Sequence, residues 1–544
     1  MKDELIKLIF PNVKDKSYYE EKYPKRDLKE GAVVTRFAPS PTGFVHMGSL
    51  FSAYVSSKAA HDTDGVFFLR IEDTDQKREV ENGIENIIRD LDNFDIKIDE
   101  GVTSNGEVGI YGPYIQTHRK EIYESFASYL MSIDLAYPCF LTEKELEEMR
   151  EIQEKDKLEI GCYGAFAKYR DLSDEERIKK IKNGEPYIIR LKSQGDINKR
   201  IHIKDLIKGD LEFPENNIDV VLIKGDGFPT YHFAHAVDDS LMHTTHVIRG
   251  DEWLSSLPIH YELFKVLGYK LPKYCHLSPI MIQDGEIRRK LSKRKDKEAA
   301  ISFYHELGVP KEAIKLYLLT IANSNFEEWY NANPRESIDK FKFDFKKVSS
   351  SGSLFDMEKL LNISKNYLSY LSASDFYNRL LEYTKEYDSE FYNLLVKYKD
   401  DSIEFINIER ERKKPRKDYS SFSEVKDNMW YMFDELFFKE KKSLDNSEII
   451  IDYFNNYYDS SDTEEEWFNK MKDLASKYGY ATDMKAYKEE PDSYPGSIVD
   501  ISNMIRISMT TKDNTPNLYN ILKILGKTRI EKRINEYYPS SKKD

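Results

Sequence analysis

The chain has 544 residues, 40% hydrophobic and 33% charged, with a formal net charge of −14. That is too long for one core and implies roughly three to five domains. It contains no apolar run of bilayer length, so no transmembrane helix is expected. The acidic balance argues against a general nucleic-acid binder, although a local basic face is what phosphate contact requires. The N-terminus mixes acids and bases, as neither a secretory signal nor a mitochondrial presequence does. The three scattered cysteines, Cys139, Cys162 and Cys275, suggest reduced thiols in a cytoplasmic protein.

Residues 1–30 are polar and read as an N-terminal extension without an evident function. The first structured stretch runs from Val33 to Leu50. It begins as a β-rich run through Phe37, breaks at Pro39, Pro41 and Gly43, and resumes as a helix from about Leu50. Strand, tight turn and helix N-terminus together make a place for phosphate, and Gly43 and Gly48 allow close approach. An ordinary βα connection fits the same spacing. Next come Gly65–Ile71, of buried-strand type, and the acidic Glu72-Asp73-Thr74-Asp75. Those acids sit where open α/β sheets bind ligands, or they cap a helix starting near Arg78.

From Gly112 a helix is expected over Lys120–Ile133, then a charged helix over Glu143–Lys155 and a strand around Tyr187–Leu191. The sheet is expected to resume at Asp219–Ile223, followed by a turn and an extended run through Phe233. Ala236–Asp239 then reads as the start of a helix and Thr245–Trp253 as a strand with its sequel. Ile287–Lys295 is a basic run between the Asp284-Gly285 turn and a helix at Ala299–Leu307. A lone lysine cluster of this kind is commonly a solvated loop. From about Ser372 the pattern is helix after helix.

Four stretches carry a family resemblance. RFAPSPTGFVHMGSL resembles the HIGH signature of class I aminoacyl-tRNA synthetases in the form of the glutamyl branch. RIEDTD and the segment from Pro229 to Trp253 are similar to the same branch without gaps. Lys290-Leu291-Ser292-Lys293-Arg294 resembles the KMSKS signature in its KxSKR variant, about 240 residues after the first.

The resemblance implies an α/β fold: a Rossmann-like catalytic domain with an inserted acceptor-binding α/β domain, followed by an all-α anticodon-binding region. The implied boundaries are 31–111 and 218–275 for the catalytic halves and 112–217 for the insertion. The KMSKS loop and connecting helices take 276–372, and the helical region 373–544. The missing β-barrels match the bacterial type.

The implied activity is a ligase that activates L-glutamate with ATP and esterifies tRNA(Glu), with tRNA(Gln) as a further candidate. A non-catalytic tRNA-binding paralogue is the rival, but such proteins usually lose a signature and this chain keeps both. Positive side chains on a loop suit the charge that builds on the phosphates. His46, Lys290 and Lys293 are the implied catalytic residues, and Gly48, Glu252 and Met281 join His46 and Lys293 at ATP. A substrate carboxylate calls for the arginine fork. Arg36 and Arg249 match the glutamate-binding arginines, and Ala38, Ser40, Glu72 and Tyr231 line the same pocket.

His235 departs from the residues usual in relatives and has no assigned role. Mg2+ is expected with ATP. Relatives that bind zinc open the site with Cys-x-Cys; here Cys139 is followed by Phe140-Leu141, so no zinc is expected. The basic run Arg410–Lys417 reads as a solvated loop or an anticodon contact, with Arg416 the candidate. No membrane association is expected, and the chain is read as a monomer.

Overall fold

The computed structural model describes residues 1–43, 45–75, 77, 80–292, 294–440 and 447–537. The chain divides into two compact units, residues 1–301 with 315–356, and residues 302–314 with 357–544.

The first unit starts with two short helices, Lys2–Ile9 and Lys16–Lys22, which precede the sheet. Their sequel is tied to the sheet by Tyr23, whose hydroxyl donates to the Gly112 carbonyl at 2.8 Å, and by Arg26, which forks onto Glu100 at 2.7 and 2.9 Å. Strand β1 (Val34–Phe37) pairs in parallel with β2 (Val66–Leu69), and β2 with β3 (Glu100–Thr103). A short β4 (Gly106–Val108) closes this edge antiparallel. Every residue of β1 is buried, as parallel strands covered on both faces require. Gly65 enters β2 so close to β1 that a Cβ there would lie 1.9 Å from the Val33 oxygen, so no larger residue fits. The helix start expected near Arg78 lies outside the described residues; the next described helix is Gly83–Asn93, with Asn82 as its N-cap residue.

Strands β5 (Ala136–Cys139) and β6 (Ile188–Leu191) are antiparallel. Next come β7 (Arg200–Asp205) and β8 (Gly209–Pro214), an antiparallel hairpin with alternating burial along β7. Strand β9 (Val221–Ile223) pairs antiparallel with β6 rather than resuming the parallel sheet. The cause is Asp219 just before it. This fully buried carboxylate accepts from the Tyr137 hydroxyl at 2.8 Å, the Ser193 N–H at 2.9 Å and Arg170, which pins the strand beside β5 and β6. The extended run expected through Phe233 is instead the start of a helix, Tyr231–Leu241, opened by Thr230. Phe233, Ala234, Val237 and Leu241 fall on one buried helical face, and their packing overrides the β-propensity of Tyr-His-Phe.

Strand β10 (His246–Gly250) runs parallel to β11 (Lys273–Leu277). The Thr245 N–H donates to the Val34 oxygen at 3.0 Å, so this ladder abuts the first one between β10 and β1. On its far side β11 meets β7 at Tyr274 and Asp205. The hairpin therefore extends the sheet whose carboxyl ends lead into the functional site. A second hairpin, β12 (Ile280–Asp284) and β13 (Ile287–Lys290), carries the basic run.

In the second unit the regular elements among the described residues are helices, including Ala373–Tyr387, Glu464–Lys477, Ile498–Thr510 and Leu518–Tyr537. They enclose a core built on residues such as Phe376, Leu395, Met429, Leu474, Ile505 and Ile521. Among the described residues no helix is long and apolar enough to cross a membrane.

Candidate active site

A cavity of about 1030 Å³ opens where β1, β10 and β11 end. This is where open α/β sheets place their ligands. Arg36, Ala38 and Ser40 line it from the end of β1 and the turn beyond. His46 and Gly48 face it from the start of the helix Met47–His61, and Glu72 from the end of β2. Tyr231, Arg249, Glu252 and Lys290 complete the wall.

The two arginines are both buried but are held in different ways. Arg36 is 4% exposed, and its Nε donates to both oxygens of Asp239 at 3.2 Å. Asp239 also accepts from Arg70 Nη1 at 2.7 Å. Burial would raise the Asp239 carboxyl, but Arg36, Arg70 and His235 outweigh it and hold it well below the usual carboxylate range.

Arg249 is 6% exposed and, among the described residues, has no carboxylate partner. Its Nε donates to His276 Nε2 at 3.0 Å, Nη1 to the Tyr231 hydroxyl at 3.2 Å, and Nη2 to His260 Nδ1 at 3.2 Å. Its guanidinium also lies over the Tyr274 ring at 4.8 Å. A buried cation surrounded by neutral acceptors at a cavity wall is built to receive an anion. Glu72, by contrast, is raised by burial, against the pull of Arg70 and Arg36.

The opposite side suits phosphate. His46 caps its helix: Nδ1 accepts from the Gly48 and Ser49 N–H groups at 3.1 and 3.3 Å, and the His46 N–H donates to Ser49 Oγ at 2.8 Å. With Nδ1 accepting, the ring proton is on Nε2, where it serves as a donor. A Cβ at position 48 would lie 3.1 Å from the His46 ring, so glycine lets the ring settle against the helix end. Lys290, on β13, lies 3.8 Å from Glu252.

Behind Arg249, His232, His235 and His260 are packed together. His235, left unassigned by the sequence, places Nδ1 2.6 Å from Asp239 and Nε2 2.9 Å from the Tyr274 hydroxyl. Burial lowers its pKa to about 3 against the pull of Asp239. Burial, then Arg249, lowers His232 to about 4, and burial, then Lys273, lowers His246 to about 4. His260 and His276 are lowered too, chiefly by burial.

These folded-state values lie below 6.5, so the unfolded chain takes up more protons as pH falls. For His232 and His246, stability present above pH 6.5 is therefore lost between 6.5 and about 4, at about 1.4 kcal/mol per pH unit each. We expect the urea midpoint of the unit carrying these histidines to drop steeply from pH 6.5 to 5. A flat profile over that interval would rule out neutral buried imidazoles.

Several residues fall elsewhere. Met281 pairs in register with Lys290 but is not among the cavity-lining residues, although its neighbour Ile280 is. Lys293 lies outside the described residues. In the second unit Arg416 is half-buried between Asp418 at 2.7 Å and Glu409 at 3.3 Å. Its neighbour Arg410 does not belong to an exposed basic face: it is 8% exposed and donates to the carbonyls of Ile406, Leu368 and Leu371. Cys139 and Cys162 come together, but among the described residues no group of three or more His, Cys, Asp or Glu side chains is arranged to hold a metal.

The sequence reading passed over Lys224 and Trp253. Lys224 lines the cavity, donates to the Thr74 carbonyl at 2.8 Å and lies 3.1 Å from Asp226. Trp253 packs on Tyr231 with ring centroids 4.1 Å apart. The tryptophan was visible within the Thr245–Trp253 match, whereas Lys224 carries no local signal.

Residues 32–362 match the family described as tRNA synthetases class I (E and Q), catalytic domain, and the chain belongs to that family. Over almost its whole length it is similar to glutamate–tRNA ligases. That of Clostridium perfringens strain 13 is 49% identical over 543 residues, covering 98% of this chain and 100% of the relative. That of Acetivibrio thermocellus is 46% identical over 538 residues, covering 98% of each. The crystal structure of a glutamate tRNA ligase from Elizabethkingia meningosepticum in complex with its amino acid superposes with a TM-score of 0.72. It is 26% identical and covers 93% of this chain and 99% of that one.

Proposed function

We propose that this protein is a glutamate–tRNA ligase of the cytoplasm. The observation that carries the reading is Arg249, a buried guanidinium at the cavity wall with neutral partners on one side and room for an anion on the other. With Arg36 it takes the side-chain carboxylate of glutamate, and Glu72 and Tyr231 orient the rest of the amino acid. ATP lies toward His46, Gly48 and Glu252, with its phosphates at the His46 Nε2 proton and the helix N-terminus. The α-carboxylate of glutamate attacks the α-phosphorus and pyrophosphate leaves. Lys290 and Lys293 offset the charge that develops on the departing phosphates.

Mg2+ arrives with ATP as part of the substrate. The adenylate then passes its glutamyl group to the 2′-hydroxyl of the terminal adenosine of tRNA(Glu), and AMP leaves. Arg416 is the proposed tRNA contact in the helical unit.

The test is ATP–pyrophosphate exchange with glutamate, with and without the protein's own tRNA. Glutamate-dependent exchange is expected in the presence of tRNA. Its absence under that condition would sink the reading.

A further inference from the structure

We propose that His276 and His260 are positioning residues for Arg249, and that Asp205 fixes the tautomer of His276. Selection for an acidic amino acid is thereby built partly from three side chains that do not line the cavity. The inference deepens the proposed function and rests on it.

The hydrogen bonds determine where the protons are. A guanidinium only donates, so His276 Nε2 and His260 Nδ1 must both be acceptors. His276 Nδ1 then carries the proton and gives it to Asp205 Oδ2 at 2.7 Å. His260 carries its proton on Nε2, which faces His232 Nδ1 at 3.0 Å, so His232 accepts there and keeps its proton on Nε2. Each ring is thus neutral and in one tautomer. Two imidazoles grip the guanidinium at Nε and Nη2, which sets the direction of the remaining donors.

Asp205 is itself strongly held. It lies at the end of β7, 1% exposed, and accepts from the N–H groups of Ile207 and Lys208 at 2.8 Å as well as from the His276 N–H at 3.1 Å. Those donors and His276 hold it below the usual carboxylate range, although burial works the other way. It therefore stays a pure acceptor and keeps the His276 proton on Nδ1.

The arrangement also explains why, among the described residues, no carboxylate touches Arg249 directly. A carboxylate there would compete with the substrate for the fork, whereas a neutral imidazole orients the fork and leaves its charge for the ligand. Asp205 acts at one remove: it orders the ring and keeps its own charge away from the guanidinium.

The experiment is exchange kinetics with ATP and tRNA saturating and glutamate varied, alongside the thermal midpoint of each variant. His276→Leu removes the acceptor at Nε. It should raise the KM for glutamate about 10- to 100-fold, the range for a charge-assisted hydrogen bond, with kcat and the KM for ATP little changed. His276→Gln can accept from Arg249 through its oxygen and donate to Asp205 through its amide, so it should recover most of the loss. Asp205→Asn can donate to Nδ1 and so shift the ring proton to Nε2, against Arg249, and it too should raise the KM for glutamate.

An unchanged glutamate KM in His276→Leu, equal losses for ATP and glutamate, or His276→Gln no better than His276→Leu would each overturn the proposal. If His276→Leu does not fold, Asp205→Asn decides: a wild-type glutamate KM there overturns it. Absence of glutamate-dependent exchange in the unmodified protein would instead overturn the functional reading, and this proposal with it.

Discussion

Arg249→Leu should lower kcat/KM for glutamate about 100- to 10,000-fold and leave the unfolding midpoint unchanged or higher. The loss follows from two charge-assisted bonds to a carboxylate, each about 1.5–3 kcal/mol, removed together. Arg249→Lys should recover little, because a point charge on a flexible stem cannot bond His276, Tyr231, His260 and a carboxylate in one plane. The stability half of the prediction comes from the absence of a carboxylate beside Arg249 among the described residues. Burying a guanidinium costs several kcal/mol, and hydrogen bonds to neutral rings offset that only in part. Leucine removes that cost, and His260 and His276 become easier to protonate without the neighbouring cation. Steady-state exchange and thermal unfolding on the same preparation check both halves. A variant with full activity, or one that loses stability in step with activity, would refute the account of Arg249 as a held, uncompensated charge.

Asp239→Ala should behave in the opposite way, with a stability loss of about 3–5 kcal/mol, the range for breaking a buried ion pair from one side. Asp239 joins Arg36 and Arg70, which are 4% and 0% exposed. Arg70 keeps Glu72 at 3.2 Å and Asp238 at 3.7 Å, so its charge stays balanced. Arg36 keeps only a long contact to the Ile248 carbonyl at 3.5 Å among the described residues. The penalty therefore falls mainly on Arg36, the side chain that shares the cavity wall with Arg249. Denaturant unfolding of the variant measures it, and a loss below about 1 kcal/mol would mean that the two arginines relax into water instead. The two arginines that face one substrate thus differ in kind: one is anchored by a permanent anion, the other is held ready for a transient one.

Much of the cavity wall was legible in the sequence because its residues come in dense local strings. Arg36, Ala38, Ser40, His46 and Gly48 fall within thirteen positions, and Tyr231 and Arg249 within one ungapped match. The helical character of the second unit, among its described residues, was legible for a related reason, since few stretches there alternate. What escaped was set by partners distant in sequence. Nothing near His276 indicates that Asp205, 71 residues earlier, orders its ring. Nothing near Val221–Ile223 indicates that Asp219 pins that strand to Tyr137. Tyr231 looked extended because Tyr, His and Phe favour strands, yet a buried helical face prevailed. Arg410 looked like part of a phosphate-facing cluster because charge can be counted in a sequence and burial cannot.

The hairpin β7–β8 bears on how this chain can be recombined. A graft that exchanged residues 112–217 for those of another protein would carry away β7, the neighbour of β11 in the sheet, and Asp205 with it. The segment that looks like a detachable cassette in the sequence holds a structural member of the host pocket. Lineages that trade or trim this segment must therefore keep β7 or rebuild the orientation of Arg249 by other means, which ties the history of the insertion to the history of amino-acid choice.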